Sequence, residues 1–477
     1  MIPVFDNPAE LEALAKEKYS LPPFLMMENA AHALANFIKS INPENKKSVH
    51  ILCGKGNNGA DGLALARLIH NSIKTTIYCP IKPSTPEGQK QYEIITSLGI
   101  QISPHFEDFF NFKDSSEETI LVDCIYGIGF HGQLPDNIIS LFKQLNDLNN
   151  CTRIACDVPS GLGSTYAFKA DYTLTMGELK TPLFTDEAKN FTGQIILGNL
   201  GIPEKSFFSL STPTSYLLEE NDAKAPIREN CMAHKGTYGH SVIFAGEKSG
   251  AAILSATAAM NFGSGLTSLF KTENSNLSQF KISPELMICD SIPLKTSAIS
   301  IGSGLGFSSE KSINTFTNWF ENTIKPACVL DADIFSCNTF KQLLCKLNSI
   351  ENARIVLTPH IKELKIICNT LGIDSSLDRI QIGKKFTQQF QNCTLVMKSA
   401  ITYIADKETI YICNEGCQNL AKGGSGDVLA GMITSLLAQG YSSKDAAISA
   451  VYFHAKASKK LGAQSYNLTP EKLISNL

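Results

Sequence analysis

The chain has 477 residues. That is well past the roughly 250–300 residues at which a single core stops growing, so two or three domains are expected. With 43% hydrophobic and 18% charged residues, 33 glycines and 20 prolines, disordered, collagenous and linker-rich scaffolds are excluded. A formal net charge of −3 excludes an overall field that would gather the protein onto nucleic acid or anionic lipid.

In chain order, apolar residues recur at helical spacing over 8–19 and 24–40, with Pro22-Pro23 as the break. A strand is predicted over 48–53, followed by a Gly/Asn loop and a helix over 63–70. Further strands are predicted over 75–78, 119–122 and 153–156, alternating with helices over 90–98 and 138–145, the pattern of a parallel, doubly wound sheet. Residues 201–230 are turn-rich and carry no sustained apolar period, which places a domain boundary there. A second strand and helix series follows at 241–245, 253–260, 298–301, 327–330, 353–357 and 394–397. Two long buried helices over 427–437 and 445–461 complete it. The expected domains are 1–210 and 218–477, and no repeat or low-complexity tract interrupts them.

Most of the fourteen cysteines sit in apolar runs, as at Cys53, Cys124, Cys156 and Cys368, and are expected to be buried free thiols. No CxxC pair or Cys/His cluster has zinc spacing. The first residues lack a basic segment followed by a long apolar one, and no stretch reaches the ~18 apolar residues of a membrane span. A cytoplasmic protein is expected.

Between strand and helix, Gly54-Lys55-Gly56-Asn57-Asn58-Gly59-Ala60-Asp61-Gly62 is suited to holding phosphate. Glycines allow close backbone approach, and a helix N-terminus offers unpaired N–H groups. Asp123 and Asp157 end two later strands and are expected to converge on the same crevice, since ligands of open α/β sheets bind beyond the carboxyl ends of the strands. Each alone is equally well read as a turn or helix cap.

This loop, the Asp123 strand end with Gly127-Ile128-Gly129, the Asp157-Val158-Pro159-Ser160-Gly161 segment and the 173–180 run resemble, in order, the YjeF N-terminal family of NAD(P)H-hydrate epimerases, from about 28 to 203. The resemblance implies a Rossmann-like three-layer α/β/α domain that inverts C6 of the hydrated nicotinamide ring between R and S forms. It implies substrate contacts at Asn57, Asn58, Gly59, Ala60, Asp61, Gly127, Ile128, Gly129, Phe130, His131, Gly132, Gln133 and Asp157, and a potassium ion on Asn58, Asp123 and Ser160. With Asp123 committed to the cation, Asp157 is the expected proton carrier. Ala60 replaces a usual glycine and adds a methyl where backbone and ligand would meet.

In the second half, Lys422-Gly423-Gly424-Ser425-Gly426-Asp427 runs into a long apolar helix. Such a turn makes an anion hole from backbone N–H groups, and Asp427 is placed to take a proton from an attacking hydroxyl. The turn resembles the ribokinase-like superfamily. With 234–240, Gly263-Ser264-Gly265-Leu266, 301–306, Asp331-Ala332-Asp333 and 357–364, the chain resembles the ADP- or ATP-dependent NAD(P)H-hydrate dehydratases from 234 to 470. The resemblance implies a ribokinase-like α/β domain with substrate at Ala252, Gly304, His360 and Asp427. The nucleotide would lie at Lys398, Ser399, Ala400, Ile401, Thr402 and Gly426. Ser399 stands where glycine is usual, and Lys422, where threonine is common, is expected to add positive charge beside the phosphates.

Together the halves imply a bifunctional repair enzyme. It would epimerise the hydrates and dehydrate the S form to NAD(P)H with ADP as phosphate donor and Mg2+ on the transferring phosphoryl group. Small molecules are the expected partners, with no nucleic acid or membrane, in a homo-oligomer. A small-molecule kinase fused to a nucleotide-binding domain is the alternative, since it would use the same turn but stop at the phosphoester, and a silent half is the third reading.

Overall fold

A computed structural model describes residues 1–112, 118–306, 310–462 and 465–477. It divides into two compact units, Pro3–Thr214 and Ser215–Leu477, the latter with Met1–Ile2.

In the first unit the strands are β1 (Ile2–Phe5), β2 (Ser48–Cys53), β3 (Thr75–Tyr78), β4 (Ile102–Ser103), β5 (Thr119–Cys124), β6 (Cys151–Cys156), β7 (Tyr172–Met176), β8 (Leu179–Lys180) and β9 (Gln194–Gly198). The main sheet runs β4-β3-β2-β5-β6-β7-β9 with all neighbours parallel. β2 and β5 are buried at every position, as sheets covered on both faces require. Strand order reverses between β2 and β5, the point where such a sheet opens a crevice. At Gly54, just beyond β2, a Cβ would lie 1.9 Å from the carbonyl oxygen of Ile125, just beyond β5, so only glycine permits the two strand ends to approach. β8 lies beside β1, with Val4 opposite Leu179 and Phe5 opposite Lys180.

The predicted loop over 54–62 is shorter than expected. Asn57, Asn58, Gly59 and Ala60 already form the first turn of helix Asn57–Ile69, which begins on Gly56 without a side-chain cap. Poor helix formers in this turn mask its start in the sequence.

In the second unit the strands are β10 (Ser215–Leu217), β11 (His240–Ala245), β12 (Leu266–Lys271), β13 (Met287–Cys289), β14 (Ala298–Ile301), β15 (Ala327–Leu330), β16 (Arg354–Leu357), β17 (Cys393–Met397), β18 (Thr402–Asp406) and β19 (Thr409–Cys413). They are ordered β13-β12-β11-β14-β15-β16-β17-β18-β19-β10. Pairing is parallel from β13 to β17. Two antiparallel steps follow, β17 with β18 and β18 with β19, and β10 then pairs parallel with β19. The buried helices Ser425–Ala438 and Ser443–Lys459 pack in this unit's core. Cys53, Cys124, Cys156 and Cys368 are buried free thiols. Among the described residues no helix is long and apolar enough to cross a membrane.

Helix Ser425–Ala438 packs so tightly on helix Ser249–Asn261 that a Cβ on Gly431 would lie 2.0 Å from the Ser255 carbonyl oxygen. Gly431→Ala is therefore expected to cost about 1–3 kcal/mol or more. The measurement is the unfolding midpoint of the intact chain by scanning calorimetry, and an unchanged midpoint would show that the helices part without penalty.

Candidate functional sites

Beyond the carboxyl ends of β2 and β5 lies a cavity of about 1000 Å³. Of the residues expected to meet substrate there, Asn57, Asn58, Asp61, Gly127, Ile128, Gly129, Phe130, Gln133 and Asp157 line it. Gly59, Ala60, His131 and Gly132 do not. Gly59 and Ala60 are buried in the first helical turn, and Ala60 is packed against Gly88, where a Cβ would lie 3.3 Å from its methyl. The expected meeting of the Ala60 methyl with ligand is thus corrected: the methyl faces protein. Tyr126 and Phe130, with ring centroids 4.4 Å apart, form an aromatic wall.

Asp123 is fully buried and does not line the cavity. Its Oδ1 accepts from the Ser160 hydroxyl at 2.6 Å and the Ile125 N–H at 3.1 Å, and its Oδ2 from the Ser160 N–H at 2.8 Å. Burial raises its pKa to about 6 against these three bonds. Neither polar atom of the buried Asn58 amide has a hydrogen-bond partner. A buried carboxylate, a hydroxyl and an orphaned amide oxygen are hard donors of the kind that suits an alkali cation.

Asp157 follows β6 in the left-handed region, φ 67°, a conformation that non-glycine residues hold at a cost. Its Oδ1 lies 2.7 Å from Lys180 Nζ and accepts from the Met176 N–H at 3.2 Å. Lys180 is 2% exposed and donates to Thr175 Oγ1 at 3.0 Å and the Met176 carbonyl at 2.9 Å. Burial opposes its charge, but Asp157 and Glu178 outweigh burial and hold its pKa above the ordinary lysine value. Burial also raises Glu178 to about 7. Asp61 is pushed well above the usual carboxylate range, first by burial and then by Asp157 and Glu12.

In the second unit, helix Ser425–Ala438 begins on Gly424, φ 91°, again without a side-chain cap. Asp427 stands in its first turn with a pKa raised to about 6, chiefly by burial and then by Asp331. Lys398 Nζ lies 2.9 Å from Asp331 Oδ1 and 3.2 Å from where a Cβ on Gly426 would be. Thr358 donates to Asp331 Oδ1 at 2.8 Å, and the Gly306 N–H to Asp333 Oδ2 at 2.9 Å. Gly304, at φ 64°, packs over the Lys248 carbonyl.

The other expected residues divide. Ser399, Ala400 and Thr402 reach the surface wholly or in part, but Ile401 is fully buried, and its carbonyl accepts from Arg379. Ala252 is likewise fully buried within its helix and offers no side-chain surface to a ligand. His360, 52% exposed, caps helix Ile361–Leu371: its Nδ1 accepts from the N–H groups of Lys362 and Glu363. Lys422 donates to the Tyr466 carbonyl at 3.1 Å.

Sequence reasoning misses two buried groups, Lys180 and His454. His454 lies in a helix that reads as uniform core. Its Nε2 is 3.0 Å from the Ser425 carbonyl; a carbonyl only accepts, so that nitrogen carries the hydrogen. The ring thus secures the first turn of the Asp427 helix from behind.

The family described as YjeF-related protein N-terminus matches residues 24–182, and that described as NAD(P)H-hydrate dehydratase matches residues 241–477. The chain is 37% identical to the bifunctional NAD(P)H-hydrate repair enzyme Nnr of Helicobacter pylori, covering 100% of this chain and 99% of that one. It is 31% identical to the enzyme of the same name from Dictyoglomus turgidum, covering 94% and 91%. Among solved structures, an ADP/ATP-dependent NAD(P)H-hydrate dehydratase from Bacillus subtilis, co-crystallised with ATP and Mg2+, is similar at 26% identity and a TM-score of 0.44, over 52% of this chain and 91% of that one.

Burial lowers the His454 pKa from 6.5 to about 4. The unfolded chain therefore binds the extra proton first as pH falls, and stability present above pH 6.5 is lost toward pH 4. The contribution is on the order of 3 kcal/mol. His454→Gln, which keeps a donor but no titration, is expected to flatten this part of the profile. Unfolding midpoints of both chains over that range measure it, and parallel curves would refute it.

Proposed function

Because this chain belongs to the bifunctional NAD(P)H-hydrate repair enzymes, we propose that its two sites carry out successive steps of one repair. The first unit interconverts the R and S hydrates, and the second dehydrates the S form with ADP, giving NAD(P)H, AMP and phosphate. The observation that carries the reading is the pair of helix N-termini begun on glycine, each with a carboxylate beside it: Asp157 at the first, Asp427 at the second.

In the epimerase site, the free N–H groups at Asn57 and Asn58 receive phosphate oxygens of the dinucleotide. Tyr126 and Phe130 offer their faces to a planar ring. Asp157 takes the C6 hydroxyl proton as the C6–N1 bond opens, leaving an aldehyde carbon at C6 and a protonated N1; N1 then re-adds to the other face of the carbonyl and the oxygen regains a proton, with Asp61, whose burial favours its neutral form, beside them. Asn58, Asp123 and Ser160 would hold K+, which supplies fixed positive charge near the substrate phosphates. The orphaned Asn58 amide supports that assignment.

In the dehydratase site, Asp427 removes the C6 hydroxyl proton and the oxygen attacks the terminal phosphorus of ADP, releasing AMP. The backbone N–H groups of 424–426 and the Lys398 ammonium receive the developing charge. The ring nitrogen lone pair then expels phosphate from C6, and loss of a C5 proton restores the dihydropyridine. Among the described residues no group of three or more His, Cys, Asp and Glu is arranged to hold an ion. Asp427 and Asp331 nevertheless repel each other, which fits a Mg2+ brought in on nucleotide phosphates. That ion would neutralise phosphoryl charge.

Mixed R and S NADH hydrate with ADP is expected to convert completely to NADH. Conversion of the S fraction alone would refute the epimerase, and a stable phosphorylated product would mark a kinase. Asp427→Ala is expected to abolish dehydration while sparing epimerisation, and Asp157→Asn the reverse. Since Asp427 acts ionised, the dehydration rate is expected to rise as pH increases through about 6. A flat profile across that range would move the base elsewhere.

A further inference from the structure

Asp157 Oδ1 takes both protein contacts given to this carboxylate, from Lys180 Nζ and the Met176 N–H. Oδ2 turns the other way: it lies 3.8 Å from where a Cβ on Gly127 would be, the same point that is 3.4 Å from Asn58 Cβ. Gly127, Asn58 and Asp157 all line the cavity. The carboxylate is thus divided into an anchored oxygen and one presented to the cavity. The anchor is itself over-determined, because Lys180 sits on the short strand β8, held by Thr175 Oγ1 and the Met176 and Glu178 carbonyls. Glu178 Oε1 lies 3.1 Å from the ammonium as a second ion-pair partner.

We propose that Lys180 is a positioning residue for epimerisation: its buried ammonium pins Asp157 Oδ1, leaving Oδ2 as the oxygen that exchanges a proton with substrate. The inference rests on the epimerase reading above. A buried cation is costly unless paired, and this one shares its charge between Asp157, at the cavity, and Glu178, fully buried. The charged groups acting on the cluster come from each surrounding element: Glu12 on helix Pro8–Tyr19, Asp61 on helix Asn57–Ile69, and Glu178 between β7 and β8. All three are acidic, so Lys180 is the sole cation among them. Removing it would leave Asp157 with the Met176 N–H and, among charged groups, only carboxyls.

The test is the pH–rate profile of R-to-S conversion between about pH 5 and 9 in the full-length chain, with Lys180→Met, Lys180→Arg and Glu178→Gln. Lys180→Met is expected to lower kcat by roughly 10²-fold and to move the acidic limb up by roughly 1–3 pH units, the usual effect of losing an opposite charge at this distance. Lys180→Arg, which keeps the charge, should restore the limb toward its wild-type position. Glu178→Gln, which removes the competitor for the ammonium, should move it down. An acidic limb unmoved in Lys180→Met or in Glu178→Gln overturns the inference, even if kcat falls, because a purely structural role lowers rate without shifting the profile. If near-ultraviolet circular dichroism shows Lys180→Met unfolded, Lys180→Arg and Glu178→Gln decide alone by the same criterion. A wild-type chain without epimerase activity, or an Asp157→Asn chain with full activity, would instead overturn the epimerase assignment on which this rests.

Discussion

Both sites depend on a helix whose first N–H groups are left without a side-chain partner. Ser, Thr, Asp or Asn at the cap can satisfy these donors, as Thr85, Asp378, Ser442 and Thr469 do elsewhere in this chain, while helices begun on Pro22, Pro135 and Lys248 also go without. The helices that open on Gly56 and Gly424 decline that satisfaction. Their open donors and positive dipole ends are what a phosphate-bearing substrate completes. Much of the remaining architecture holds these two ends in place: Gly54 lets the tips of β2 and β5 meet, Gly431 lets the second helix settle against its neighbour, and His454 ties Ser425 from behind.

Charge at each site is arranged on the same plan, a carboxylate near the substrate with a lysine close at hand, but the wiring differs. In the first unit Lys180 touches Asp157 directly and is nearly sealed from water. In the second, Lys398 pairs with Asp331, while Asp427 keeps a pKa near 6. A direct ion pair suits a group that both accepts and returns a proton at one centre. An indirect one leaves Asp427 basic enough to take a proton near neutrality, while Lys398 stays beside Gly426, where phosphate charge would develop.

Much of this is legible in the sequence, and the failures have physical causes. Strands β2, β3, β5 and β6 announce themselves because buried parallel strands are short, apolar and bounded by turns. Asp157 and the Asn57-Asn58 turn read correctly as neighbours because strand ends and helix starts share one edge of such a sheet. The start of helix Asn57–Ile69 is hidden by residues of poor helix propensity, chosen for their polar groups rather than for the helix. Ala252 and Ile401 fall within motif-bearing segments yet point into protein, because a motif marks a stretch of backbone and not the direction of each side chain. Lys180 is marked only as the last residue of the 173–180 run, and His454 carries no local mark. The partners that matter to the sites, Asp157 and Ser425, lie 23 and 29 residues away in sequence, and only the closed fold joins them.

The left-handed backbone at Asp157 bears on how this protein can be altered. Glycine would take that conformation without strain, but it would strip the buried Lys180 ammonium of its partner at Oδ1, and breaking a buried ion pair costs roughly 3–5 kcal/mol against roughly 1–3 kcal/mol of strain relieved. Chemistry and stability therefore favour the same residue at position 157, and a search for thermal resistance alone would not erase it.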